Sequence, residues 1–387
     1  MRILQVHTRY RQPGGEDAVV DVERQQLEAA GHQVRTHLLE NPVDVRPTLA
    51  SLARSPWNRQ SAAQVLATAL EFQPDVVHVH NTWFALSPSV FPALEDGGFP
   101  VVATIHNYRL TCVNALLYRD NRPCLDCVGR LPWPGVLHRC YRDSALQSAA
   151  VAVTIATHRA LRTWHDDVSR IIALTQFAAD ILVRSGLPES RIVVKPNAVA
   201  DPGPRARPPS ISDSILYVGR FTEDKGVLDL LDSWERAQLR DLQLTMIGNG
   251  PLLDRLRASG RPRVDFLGHL SSAEVRRLML GARALVLPSR WFEGMPMVLL
   301  EAMAAGLPVV VPDHGDLLDI AGSGGVEFKA LDVDSLAGAL GTLSDDSMVD
   351  PRGASSRSEY LSRFTPAESA INLLRIYSDA GKNLESS

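Results

Sequence analysis

The chain has 387 residues, more than the roughly 250–300 that a single hydrophobic core usually organises, so two domains are expected. Its 40 basic and 44 acidic residues divide as 20 and 18 up to residue 195 and 20 and 26 beyond, or +2 and −6. With so small an asymmetry, no arginine-rich arm and no aromatic stacking run, a nucleic-acid partner is excluded. No apolar run is long and uncharged enough to span a membrane, and "MRILQVHTRY" lacks the order of an export signal, which predicts a cytoplasmic location.

In chain order, "RILQVHT" reads as a buried strand, "RYRQPGG" as a loop, and "EDAVVDVERQQLEAAGH" as a helix stopped by Gly31. "DVVHVHNT" and "VVATIHNY" follow as further strands, and they end in His80 and Asn81 and in His106 and Asn107. Alternation of this kind predicts a parallel sheet covered by helices, with ligands gathered where the strands end. "PNAVADPGPRARPPS" carries five prolines and few large apolar residues, so it reads as a linker. The alternation then restarts with "SILYVGR", "LQLTMIGNG", "VDFLGHL", "ALVLPS" and "LPVVVP". Near the end, "TPAESAINLLRIY" starts a helix, with Thr365 as cap and Pro366 and Glu368 in its first turn. The expected organisation is an α/β chain of two Rossmann-like parallel-sheet domains facing a cleft. The boundaries are 1–195 with an insertion at about 107–142, a linker at 196–212, a second domain at 213–364 and a final helix at 365–387.

Three stretches of the second domain carry chemistry. "YVGRFTEDKGVLDLL" places Arg220 and Lys225 in a glycine-bracketed loop between strand and helix, where two cations and open amides suit phosphate. With only 4 lysines against 36 arginines, Lys225 stands out. "GNG" places Gly248, Asn249 and Gly250 after a strand, in a tight turn that would let a flat group such as a base approach the backbone. The third glycine of a dinucleotide fingerprint is missing, since Leu253 holds its place, which disfavours a nicotinamide oxidoreductase. In "WFEGMPMVLLEAMAAGLPVVVP", Glu293 precedes the amides of Gly294, Met295 and Met297 at a helix start. Glu301 falls within an apolar run, where a carboxylate is costly unless paired; the vicinal hydroxyls of a ribose would pair with it.

These motifs, with "PGGED", "PDVVHVHN", "TIHNY" and "PNAV", resemble the retaining glycosyltransferases of family four, of GT-B fold, over nearly the whole chain. The resemblance implies transfer of a sugar from a nucleoside-diphosphate sugar, UDP- or GDP-linked, to a hydroxyl acceptor: a glycan, a lipid-linked intermediate or a small metabolite. It implies that Glu301 binds ribose and that Arg220 and Lys225 bind diphosphate. Glu293 with Gly294, Met295 and Met297 would hold the sugar and distal phosphate, and His106 would touch a sugar hydroxyl. Gly15 would approach the diphosphate, Glu16 would face the acceptor, and Asn249 and Leu270 would neighbour the base. It also implies that the final helix packs back on the first domain. No catalytic metal is implied, because cations and amides meet the charge of the leaving group. An epimerase of the same fold, a non-catalytic sugar-nucleotide binder and a two-carboxylate glycosidase are the competing readings.

All four cysteines, Cys112, Cys124, Cys127 and Cys140, lie within 29 positions. In a cytoplasmic chain this predicts a structural zinc site, with unligated thiols or disulfides as alternatives. The same segment carries Arg109, Arg119, Arg122, Arg130, Arg139 and Arg142, a basic lid suited to an anionic acceptor. Arg54, Trp57 and Arg59 suggest peripheral membrane contact at the inner face. The oligomeric state is not encoded in these features.

Overall fold

The computed structural model describes residues 1–9, 14–41, 55–83 and 85–385 and divides into two units. Unit 1 comprises Met1–Leu117, Leu125–Asn197 and Pro366–Ser387; unit 2 comprises Tyr118–Cys124 and Ala198–Thr365. Arg54 lies outside the described residues.

Unit 1 is built on strands β1 (Arg2–Arg9), β2 (Gln33–Glu40), β3 (Val76–Asn81) and β4 (Val101–Ile105). A two-residue hairpin, β5 (Tyr118–Arg119) with β6 (Arg122–Pro123), interrupts the order, and β7 (Arg170–Ala173) and β8 (Ile192–Val194) complete the sheet. The six strands are parallel, in the order β2-β1-β3-β4-β7-β8. β3 is buried at every position, its polar residues His78, His80 and Asn81 included. The helix Gly15–Ala29 ends at Ala30, and Gly31 follows with φ of +85°, as expected of a glycine stop. The final helix, Pro366–Glu385, buries Leu373, Ile376, Tyr377 and Ala380 in a core with Ile3, Leu27, Val76, Val102 and Ile172.

Unit 2 repeats the plan with β9 (Ser214–Val218), β10 (Gln243–Ile247), β11 (Val264–Gly268), β12 (Ala284–Val286), β13 (Val309–Pro312) and β14 (Gly325–Phe328). Their order is β11-β10-β9-β12-β13-β14, again with parallel pairing. Ile215, Leu216 and Tyr217 of β9 are buried, each contributing about 1.5–3 kcal/mol by leaving water.

The proline-rich segment differs from a loose linker. Residues 198–212 belong to unit 2 and are pinned to it by Arg205, which donates to the carbonyls of Ala282 at 2.6 Å and Ala305 at 3.0 Å. Both carbonyls end helices, Ser272–Gly281 and Met297–Ala304, so one guanidinium caps two C-termini at once. The bidentate pair of Arg357 with Asp201 (2.7 and 2.8 Å) adds a second anchor.

Candidate functional site

In a doubly wound sheet, a crevice opens at the carboxyl ends of the two strands where the order reverses. In unit 2 those strands are β9 and β12. The loops that leave them carry Arg220 and Lys225 on one side and Ser289 to Pro296 on the other.

Glycine geometry lets the two loops meet. Gly226 has φ of +67°, and a Cβ there would stand 1.8 Å from the Pro288 carbonyl oxygen. This close approach brings Lys225 to Glu293, Nζ to Oε1 at 2.7 Å. The same carboxylate oxygen accepts from Ser289 Oγ at 2.5 Å and from Trp291 Nε1 at 3.0 Å. The ammonium also lies 4.9 Å from the centre of the Trp291 ring. Glu293 is 8% exposed, so these donors are what make an ionised carboxylate tolerable there. Arg290 completes the frame by a bidentate pair with Asp229 (2.5 and 2.6 Å) and by its amide, which donates to the Asp224 carbonyl. Sequence reasoning missed Arg290. Its only signal was a charge at the end of the apolar run "ALVLPS".

Arg220 is exposed, its side chain 3.7 Å from Asp224, while its carbonyl accepts from Tyr217. Lys225 is thus held in the site by its pair, and Arg220 stands at the solvent side. The helix Met297–Ala304 begins without a side-chain cap, and in its first turn the Leu299 amide donates to the Pro296 carbonyl at 3.0 Å. Pro296 precedes that helix rather than opening it.

Two expectations need correction. Glu301 is half-buried rather than submerged: Leu299, Leu300, Ala302 and Met303 take the core side, and Glu301 shares the outer face with Met297 and Val298. Burial still lifts its carboxyl above the usual range, with Arg276 pulling the other way. The "GNG" glycines serve the chain itself. A Cβ on Gly248 would lie 1.9 Å from the Gly219 carbonyl oxygen, and one on Gly250 would lie 2.5 Å from that of Phe221. The Phe221 amide donates to the Asn249 carbonyl at 2.9 Å, so the bareness of this turn is used to clasp the Arg220 loop. Asn249 is exposed and Leu270 half-buried.

In unit 1 the reversal lies between β1 and β3. Around it the strand ends place His7, His80 and Asn81, with His106 immediately after β4 and Lys195 after β8. His7 Nε2 meets Asp17 at 2.9 Å, and Asp17 also accepts from the Gly14 amide, tying down the start of the helix that holds Gly15 and Glu16. Glu16 accepts from Asn107 at 3.0 Å. His106 packs its ring on His80, with Nε2 to Nδ1 at 3.2 Å. Burial pushes its imidazole down to about 3, so His106 is neutral at physiological pH.

Behind these histidines lies a group that sequence reasoning did not assemble. Lys195 Nζ donates to Glu23 Oε1 at 2.8 Å, and both side chains are buried. Glu23 Oε2 faces His80 Nε2 at 3.5 Å and His78 Nδ1 at 3.8 Å. Among the described residues, Glu23, His78 and His80 are the one set of three or more metal-ligand side chains whose donor atoms come within 4.8 Å of each other. Their partners fit a metal poorly: the ammonium holds Glu23, and both nitrogens of His78 are engaged, by Tyr377 OH and Thr104 Oγ1 at 2.7 Å each.

The four cysteines do not form such a set, which runs against the zinc expectation. Cys112 donates to Asn114 Oδ1 at 2.9 Å, and burial raises its thiol, opposing the thiolate that zinc requires. Cys124 falls in the hairpin segment grouped with unit 2, whereas the other three belong to unit 1. Arg109 lies over the rings of both Trp83 and Tyr141, 5.1 and 5.0 Å from their centres, so it is part of the packing rather than of a basic lid. Trp57 stacks on His158, and no described helix is long and apolar enough to cross a membrane.

Residues 13–201 match the family described as Glycosyltransferase Family 4, and residues 212–346 the one described as Glycosyl transferases group 1. Glycogen synthase from Mycobacterium tuberculosis is 29% identical over 75% of this chain, a match that spans 64% of that relative's length. Phosphatidyl-myo-inositol mannosyltransferase from Mycobacterium leprae is 26% identical over 94% of this chain and 93% of its own. Among solved structures, Anabaena Alr3699/HepE in complex with UDP-glucose has a TM-score of 0.66 and 16% identity over 100% of both chains, a likeness of fold.

Proposed function

Since the chain belongs to the family-four, group 1 glycosyltransferases of GT-B fold, we propose that it moves a sugar from a nucleoside-diphosphate sugar to a hydroxyl acceptor with retention of configuration. The observation that carries this reading is the Lys225–Glu293 pair at the β9/β12 reversal, beside an uncapped helix start. Such a site suits an anionic ligand, with Arg220 and Lys225 on the diphosphate and the amides of Gly294, Met295 and Met297 on the distal phosphate. Half-buried Glu301 accepts the two ribose hydroxyls from the outer face of its helix. A fold neighbour solved with UDP-glucose supports a donor of this class.

In the reaction, the bond from the anomeric carbon to the diphosphate oxygen breaks and the acceptor oxygen bonds to that carbon on the same face. The acceptor proton passes to the departing phosphate oxygen. The cations and amides stabilise the charge as it develops on that oxygen. Glu293 fixes Lys225 and the sugar, and neutral His106 meets a sugar hydroxyl. Glu16 faces the acceptor, and the protein works in the cytoplasm or against the inner membrane face.

Incubation with a panel of UDP- and GDP-sugars and acceptors, with the product's anomeric coupling read by NMR, tests the reading. A glycoside of the donor's configuration is expected. An inverted product contradicts retention, and sugar isomerised without an acceptor points to an epimerase.

A further inference from the structure

We propose that Lys195, Glu23 and His80 form a buried relay in unit 1 that fixes the tautomer of His106 and leaves its Nδ1 as a bare hydrogen-bond acceptor. This rests on the reading that His106 meets a sugar hydroxyl, but its first test does not depend on activity.

A lysine ammonium only donates, so the oxygen that Lys195 holds at 2.8 Å must accept, and Glu23 is a carboxylate. Burial would raise its carboxyl, and the Lys195 ammonium outweighs that and holds it below the usual range. Glu23 Oε2 and His80 Nε2 are both buried, and neither has another hydrogen-bond partner among the described residues. They face one another at 3.5 Å. Two lone pairs in that position would repel in a low-dielectric interior, whereas an N–H aimed at the carboxylate satisfies both atoms. His80 therefore carries its proton on Nε2. Burial and the neighbouring His78 keep His80 neutral, so its Nδ1 has a lone pair and no proton.

His80 Nδ1 faces His106 Nε2 at 3.2 Å. With Nδ1 an acceptor, His106 must donate from Nε2, and a neutral imidazole then has its free lone pair on Nδ1. No described residue engages that atom. The outcome is a ring locked by stacking on His80 and by a directed hydrogen bond, presenting one acceptor to a hydroxyl. His78 stands aside from the relay, its two nitrogens being committed to Tyr377 and Thr104. Lys195, Glu23 and His80 are thus positioning residues, while His106 is the one that touches substrate.

Glu23→Gln gives an asymmetric prediction. The amide has one oxygen, and the ammonium of Lys195 claims it, which turns the NH2 group toward His80 Nε2. His80 must then accept at Nε2 and protonate at Nδ1, and His106 must follow by accepting at Nε2 and protonating at Nδ1. One isosteric change inverts both rings without altering the carbon framework.

Long-range 1H–15N correlation spectra of the full chain, 15N-labelled at its histidines and assigned by His80→Asn and His106→Asn, read these states directly. The expected wild-type result is Nε2–H on both rings, reversing to Nδ1–H in Glu23→Gln. Nδ1–H or imidazolium on either ring of the wild type overturns the relay, and so do unchanged tautomers in folded Glu23→Gln. If Glu23→Gln does not fold, the wild-type spectrum still decides. In transfer assays, Glu23→Gln should lower kcat about tenfold, the worth of one hydrogen bond, with the KM for donor within about twofold. Unaltered kcat alongside inverted tautomers would instead remove the sugar contact of His106 from the proposed function and leave the relay standing.

Discussion

Replacing Lys225 with methionine keeps most of the side-chain volume and removes the ammonium. Glu293 Oε1 would lose its partner at 2.7 Å but keep Ser289 and Trp291 as neutral donors. Breaking a buried ion pair by one partner costs about 3–5 kcal/mol. Lys225 is 19% exposed and the carboxylate retains two hydrogen bonds, so about 2 kcal/mol is the appropriate size here. Loss of the contact with Trp291 falls within that figure. Glu293→Gln alone leaves an ammonium that can turn toward water, so it costs less, about 1 kcal/mol. The double variant removes both charges and should return to within about 1 kcal/mol of the parent, for a coupling of about 2 kcal/mol. Because the chain divides into two units, the appropriate readout is hydrogen exchange of the β9 and β12 amides in unit 2, rather than one global unfolding energy. Additive effects of the two substitutions, with a coupling below about 0.5 kcal/mol, would refute the claim that this pair organises the site.

Gly226→Ala would combine a left-handed φ with a Cβ 1.8 Å from a carbonyl oxygen, so a loss of about 3 kcal/mol or more is expected; an unchanged thermal midpoint contradicts the close approach. Glu301 has its carboxyl raised by burial, so the native state binds more protons than the unfolded one between the ordinary and the raised value. Stability therefore falls as pH rises through that window, and it stays lower above it. Glu301→Gln should accordingly raise the denaturation midpoint at pH 7 by an increment that shrinks as pH is lowered below the ordinary carboxyl range; a pH-independent difference would oppose this. His106→Ala should cut turnover about tenfold or more while nucleotide affinity, measured by calorimetry, stays the same; a matching fall in affinity would place His106 on the nucleotide instead.

The parallel sheets were legible because their strands are buried on both faces and stand out as short apolar runs, as in "ILYV" of β9. The charged residues that close the loops of unit 2 were legible as types, since Lys225 sits in a loop bracketed by Gly219 and Gly226 and Glu293 directly precedes Gly294. Their direct pairing was not, for it depends on how Gly226 nests against Pro288, 62 positions away along the chain. Glu23 was hidden for a related reason. On an amphipathic helix a glutamate reads as a solvated face, and its partner Lys195 is 172 residues distant. The proline-rich segment misled because proline signals stiffness and exposure, while its attachment to unit 2 comes from Arg205 reaching two helix ends and from the Arg357–Asp201 pair. Cysteine spacing suggested four ligands, but spacing cannot show that Cys112 faces Asn114.

Calorimetric titration of the full chain with UDP and with GDP, repeated on Glu301→Gln, tests the central claim most directly. The account predicts one-to-one binding of at least one of the two, weakened about tenfold or more when the carboxylate that accepts the ribose hydroxyls becomes an amide. Absence of binding by both nucleotides, or equal affinity in the parent and in Glu301→Gln, would contradict it.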